Sequence, residues 1–194
     1  IFMSIAQFWF ATYNGFSGQK IYTEAGIQLF NLVFTSLPIL LLGVYDQDVT
    51  KESSLAHPEL YIPCIKDYFF RPALFWRWML AAIIESVAIL IIPLYACENS
   101  DPQDGVINTF WEYGAITFTA IIFVVNLKMF LIQNQWTWVH LLILAASILS
   151  WFAVAAIVNV NVWIDYEWND VFNQVIHNPN TWLCVFFLVV LING

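Results

Sequence analysis

The stretch GIQLFNLVFTSLPILLLGVY, residues 26–45, runs for twenty residues without one formal charge. A helix needs about 20 consecutive, mostly apolar residues to cross the hydrocarbon core of a bilayer, so this segment predicts a membrane span. Its irregularity is also legible. Asn31, Thr35 and Pro38 recur at i, i+4 and i+7, which places them on one stripe of a regular helix. Pro38 has no amide hydrogen, so the carbonyl of Phe34 loses its helical donor. A kink or local opening follows, in which the hydroxyl of Thr35 or Ser36 re-satisfies the freed backbone group.

Working outward, residues 74–95, 113–133 and 137–163 approach the same length and apolarity. Arg77 and Glu85 interrupt the first, Lys128 falls near the end of the second, and the third carries no formal charge. Residues 1–14 read as the tail of an earlier helix, and residues 181–194 as a partial span. Barrel strands would alternate with period two over about ten residues. The runs 88–95 and 116–125 show no such alternation. The expected fold class is all-α, a polytopic bundle of transmembrane helices. Both ends fall inside apolar segments, so the chain is expected to be a piece of a longer protein.

Composition agrees. Of 194 residues, 61% are hydrophobic and only 10% charged. Soluble domains carry about a quarter charged residues, and so small a fraction cannot coat a globule in water. The net charge of −8 argues against a nucleic-acid partner, which would need a basic patch. Cys64, Cys97 and Cys184 lie far apart, as do His57, His140 and His177, which predicts neither a disulfide framework nor a metal site. Trp111, Trp136, Trp138, Trp163 and Trp168 fall near predicted helix ends and are expected in an interfacial belt.

If the helices alternate, residues 46–72, the start of the next helix and residues 128–136 share one side. Lys51, Lys66, Arg71, Arg77 and Lys128 lie there; Lys20 is the only base opposite, among Glu98, Asp101, Asp104, Asp165, Glu167 and Asp170. Basic loops are normally cytoplasmic, so loops 46–72 and 128–136 are expected in the cytoplasm. Loops 96–112 and 164–180 are then luminal or external.

Polar residues inside the membrane are either functional or helix–helix glue. Three places raise the question. The sequence NGFSGQ, residues 14–19, suits a tight turn. The Asn31, Thr35, Pro38 stripe suits a substrate path or a simple kink. Glu85 suits an ion role or a structural bond to a neighbouring helix. Ala82 with Ser86, and Ala146 with Ser150, read as packing faces. The sequence has no GxxxxGK[ST] phosphate loop, GxSxG elbow or HExxH pair.

Residues 8–49, FWFATYNGFSGQKIYTEAGIQLFNLVFTSLPILLLGVYDQDV, resemble the fifth and sixth membrane helices of phospholipid-transporting P-type ATPases, the lipid flippases. HPELY (57–61) resembles the cytoplasmic segment that follows, and QWTWVHLLILAASILSWF (135–152) the start of the ninth helix. The resemblance implies a ten-helix enzyme in a eukaryotic endomembrane or plasma membrane. It moves phospholipid from the exoplasmic or luminal leaflet to the cytoplasmic one, and ATP with Mg2+ phosphorylates the aspartate of a DKTGT motif. This chain would then hold the end of helix five (1–14), helix six (26–45), a cytoplasmic loop (46–72) and helix seven (74–95). After the luminal loop 96–112 would come helices eight (113–133) and nine (137–163), the luminal loop 164–180 and part of helix ten (181–194).

By position, Asn31 resembles the family's helix-six asparagine on the lipid path, and Thr35 and Ser36 its polar neighbours. Asn14 and Glu85 match no family role. The DKTGT motif, the helix-four proline motif and the helix-five lysine–asparagine pair are absent from this sequence, so the chain alone is not expected to be catalytic. A two-span glycoprotein subunit is an implied partner, with loops 96–112 and 164–180 as its contacts. A cation pump or channel bundle would need acids on residues 26–45, which hold none. A non-transporting membrane scaffold would use the polar residues only as glue.

Overall fold

The computed structural model describes residues 1–66, 68, 71–98, 110–161, 168 and 171–194. Asp101, Asp104, Trp163, Asp165, Glu167 and Asp170 lie outside the described residues, as do the side chains of Cys97 and Glu98. The first helix, α1 (Phe2–Tyr13), leads through a turn to α2 (Glu24–Leu29). A π-helical turn (Phe30–Phe34) separates α2 from α3 (Ser36–Tyr45). Two short helices, α4 (Lys51–Ala56) and α5 (Ile62–Ile65), precede the long α6 (Pro72–Glu98). Then come α7 (Phe110–Ile132), α8 (Trp138–Val160), α9 (Val171–His177) and α10 (Pro179–Asn193).

Glu24–Tyr45, Pro72–Ala96, Phe110–Ile132 and Trp138–Val160 are each long and apolar enough to cross a membrane. The pair α9 and α10, bent by 77°, meets the same test only together. Residues 171–177, expected within a loop, are thus helical. Asn159 of α8 explains this: its side-chain oxygen accepts from the Phe172 amide at 3.0 Å and caps the first turn. The bend has a local cause too. Asn178 caps the Asn180 amide, and Pro179 starts the new helix where its missing donor costs nothing.

The bundle is organised around α7, whose span is 56% buried against 17–22% for the other three. Lipid tails are as apolar as side chains, so close packing rather than expulsion from water must hold such helices together. Phe118 of α7 supplies a hub. The rings of Tyr22, Phe30, Phe34 and Trp151 stand 5.3, 5.9, 6.4 and 4.6 Å from it. Edge-to-face and tilted geometries of this kind add about 0.5–1.5 kcal/mol per pair beyond the area buried. Trp168, expected in an interfacial belt, is fully buried 6.4 Å from Trp151. Trp136 and Trp138 are largely exposed at the turn between α7 and α8.

The packing face of α8 is also displaced from the sequence expectation. His140, Ser147, Trp151, Ala155 and Val158 are buried, whereas Ala146 is exposed. A step of one residue rotates a helix by about 100°, so the stripe lies one position on from the small pair. On α6 the small pair does mark a contact: the Trp9 indole donates to Ser86 Oγ at 3.2 Å.

Both ends of the broken span are tied down. At one end the turn NGFSGQ takes positive φ at Gly15, Phe16 and Gly18. Gln7 of α1 accepts from the Ile21 amide at 3.2 Å, and Thr23 Oγ1 caps the Gly26 amide at 2.9 Å. Burial of the Tyr22 ring pushes its phenol well above the ordinary value, so it stays neutral. At the other end Asp46 Oδ1 accepts from the amides of Asn134 and Gln135, both at 3.1 Å. Asp48 accepts from the Asn134 side chain at 2.6 Å.

Gly114 of α7 sits against the backbone of Ile21, where an added Cβ would collide with the Ile21 carbonyl oxygen. Gly114→Ala is therefore expected to destabilise the intact protein by about 1–3 kcal/mol, the usual cost of overpacking. Thermal unfolding in detergent reads this as a lowered Tm; an unchanged Tm would contradict the close approach.

Candidate functional site

The polar residues of the broken span do not share one stripe. Thr35 has φ −130° and ψ −20°, outside the helical region, and the π turn before it adds a residue to the local repeat. Asn31 is left exposed on the outer face, while Thr35 is buried at 7% exposure and Ser36 and Pro38 are half-buried. No side chain among the described residues pairs with the Asn31 amide. Its neighbours on that face are apolar: Leu32, Leu37, Leu40 and Val44 are all exposed.

Hydroxyls serve part of the disrupted backbone. Thr35 Oγ1 donates to the Phe30 carbonyl at 3.0 Å, and Ser36 Oγ donates to the Leu32 carbonyl. Neither reaches the carbonyl that Pro38 frees. That oxygen, on Phe34, accepts instead from Asn126 Nδ2 of α7 at 3.3 Å and from Ser147 Oγ of α8. The correction has a simple cause. The Phe34 side chain is fully buried, and its ring packs on Phe118 and Trp151, so its peptide group lies beside α7 and α8. Leaving such a buried oxygen unpaired costs about 1–3 kcal/mol.

Asn126 and Ser147 are each 1% exposed. Sequence reading singled out neither. The available signal was composition: Asn126 is the only amide side chain within residues 113–132. Its NH2 group also donates to the Ile122 carbonyl at 2.9 Å, so two carbonyls fix the orientation of the amide. Trp151 is held in turn, its indole donating to Thr119 Oγ1 at 3.1 Å. The site is thus a span opened at its middle, with its backbone satisfied from two neighbouring helices.

Glu85 lies elsewhere, on the face of α6 that meets α7. Its two carboxylate oxygens accept from Lys128 Nζ at 2.6 and 2.7 Å. The structure therefore supports the structural reading of Glu85. Paired with a lysine, the carboxylate is neutralised where an isolated charge would be costly. Lys128→Met should leave Glu85 uncompensated and cost about 3 kcal/mol. The double change Glu85→Leu with Lys128→Met should recover most of that loss in detergent thermal unfolding. A double variant as unstable as the single one would contradict the pairing.

Known proteins share this sequence pattern. The family model for the C-terminal region of phospholipid-translocating P-type ATPases matches residues 1–193. The phospholipid-transporting ATPase IC of Xenopus tropicalis is 35% identical over 152 residues, covering 78% of this chain and 12% of its own length. The human protein of the same name is 29% identical over 97% of this chain and 16% of its own length. The probable phospholipid-transporting ATPase 7 of Arabidopsis thaliana is 34% identical over 81% of this chain and 13% of its own length. The chain spans only about an eighth to a sixth of the length of these curated relatives. With helices as the secondary structure among the described residues, several apolar spans and a family match over residues 1–193, the chain is a multi-pass membrane protein and belongs to the phospholipid-translocating P-type ATPases, as part of their C-terminal membrane region.

Proposed function

We propose that this chain forms part of the lipid path of an ATP-driven flippase, which moves phospholipid from the exoplasmic or luminal leaflet to the cytoplasmic one. The observation that carries the reading is the uncharged polar break in the second span. Asn31 presents an amide on an otherwise apolar, exposed face, and Thr35 and Ser36 follow at the opening. An amide can both donate to and accept from a phospholipid headgroup without the charge that a cation site needs. Residues 26–45 hold no acid, and Glu85 on α6 is already paired with Lys128. Both facts disfavour a cation as cargo.

ATP and Mg2+ are the cofactors of this proposal, and they do not fit the described residues. Residues 46–66 form only short, mostly exposed helices with no phosphate-cradling loop. The nucleotide chemistry is therefore assigned to other parts of the relatives' length, coupled to these spans by motion of the helices. Loops 46–72 and 128–136 are assigned to the cytoplasm, because Lys51, Lys66, Arg71 and Lys128 lie in them and Arg77 just beyond the first. A two-span glycoprotein subunit is the proposed partner, at loops 96–112 and 164–180. A pull-down of the tagged subunit should lose the intact protein when both loops are replaced; retention would remove this contact.

In the intact protein, Asn31→Ala is expected to lower kcat/KM for lipid-stimulated ATP hydrolysis about tenfold, the scale of a lost hydrogen bond to a headgroup. Lipid stimulation and transport equal to those of the parent would remove Asn31 from the path.

A further inference from the structure

We infer that Asn126 and Ser147 are positioning residues for transport: by donating to the Phe34 carbonyl they hold the second span in its opened form, and so set where Asn31 stands. The inference rests on the reading that this break lies on the lipid path. Neither residue is placed to touch a lipid, since each is 1% exposed. They act through the backbone of another helix.

The chain of cause is short. Pro38 removes the only donor that the Phe34 carbonyl would have within its own helix. The local hydroxyls of Thr35 and Ser36 are committed to Phe30 and Leu32. Two outside donors remain, one from α7 and one from α8. The opened form therefore exists only while both neighbouring helices keep their register against Phe34. A regular helix through residues 30–36 would instead return Asn31 and Thr35 to one face.

Asn126 carries a second mark of this role. Its NH2 group bridges the carbonyls of Ile122 and Phe34, but its side-chain oxygen is buried without a partner among the described residues. An unsatisfied buried acceptor is unusual and calls for an explanation. The amide cannot be turned to satisfy it, because that would set its oxygen against two carbonyl oxygens. The orientation is thus held for the sake of Phe34, at the expense of the acceptor.

The test uses the intact protein reconstituted with phospholipid, measuring ATP hydrolysis against lipid concentration. Ser147→Ala and Asn126→Leu should each raise the lipid concentration for half-maximal stimulation by roughly five- to tenfold, the scale of one hydrogen bond. Ser147→Thr keeps a hydroxyl donor and should stay within about twofold of the parent. Pro38→Ala returns an amide donor to the Phe34 carbonyl, so in that background Ser147→Ala should add little. A purely structural role would instead lower protein yield and maximal rate with the half-maximal concentration unchanged, and would overturn the inference. So would a Ser147→Ala effect of full size in the Pro38→Ala background. If Asn126→Leu does not fold, the Ser147 comparison decides alone. A parent protein without any lipid response would overturn the flippase reading itself, and the inference with it.

Discussion

Hydrocarbon offers no hydrogen-bond partner, so every backbone carbonyl and amide within a span must find one in the protein. Pro38 makes that requirement acute at one atom, the Phe34 carbonyl oxygen. Its two donors come from α7 and α8, so the break in the second span is a joint property of three helices. The same demand explains the smaller bonds around it. Thr35 and Ser36 serve carbonyls one turn back, and Thr119 and Ser150 return their hydroxyls to their own helices.

Packing then follows the satisfied backbone. The rings of Phe34, Phe118 and Trp151 meet at the level of the break, and Trp151 is fixed in turn by Thr119. Gly114 lets α7 approach the Ile21 backbone more closely than a side chain would permit, and Gly26 of α2 packs tightly on the Phe118 ring. Charge is handled in the same economical way. Glu85 and Lys128 meet across α6 and α7, so that neither of these two charges stands alone in the bilayer.

The spans were legible in the sequence because length and apolarity decide them, and both are local properties. The opening at Pro38 was legible for the same reason: a missing amide hydrogen is written in one residue. Its partners were not. Asn126 and Ser147 lie 92 and 113 residues away from Phe34, and a polar residue in an apolar helix does not name the atom it serves. The expected stripe of Asn31, Thr35 and Pro38 failed because the 3.6-residue repeat does not survive a π turn. Trp168 misled for another reason. Its neighbours in sequence suggested a helix end, but its ring is buried beside Trp151.

The anchoring of the broken span has a mechanical side. Its first half is fastened through Thr23 and the turn that Gln7 grips, close to α1. Its second half runs into Asp46 and Asp48, which grip the connection between α7 and α8. The two halves therefore answer to different parts of the bundle. When those parts shift relative to one another, neither fastening can slide without giving up hydrogen bonds. The five residues Phe30–Phe34 must take up the difference, as a flexure between two clamped beams. Asn31, the second of the five, would then turn with that flexure.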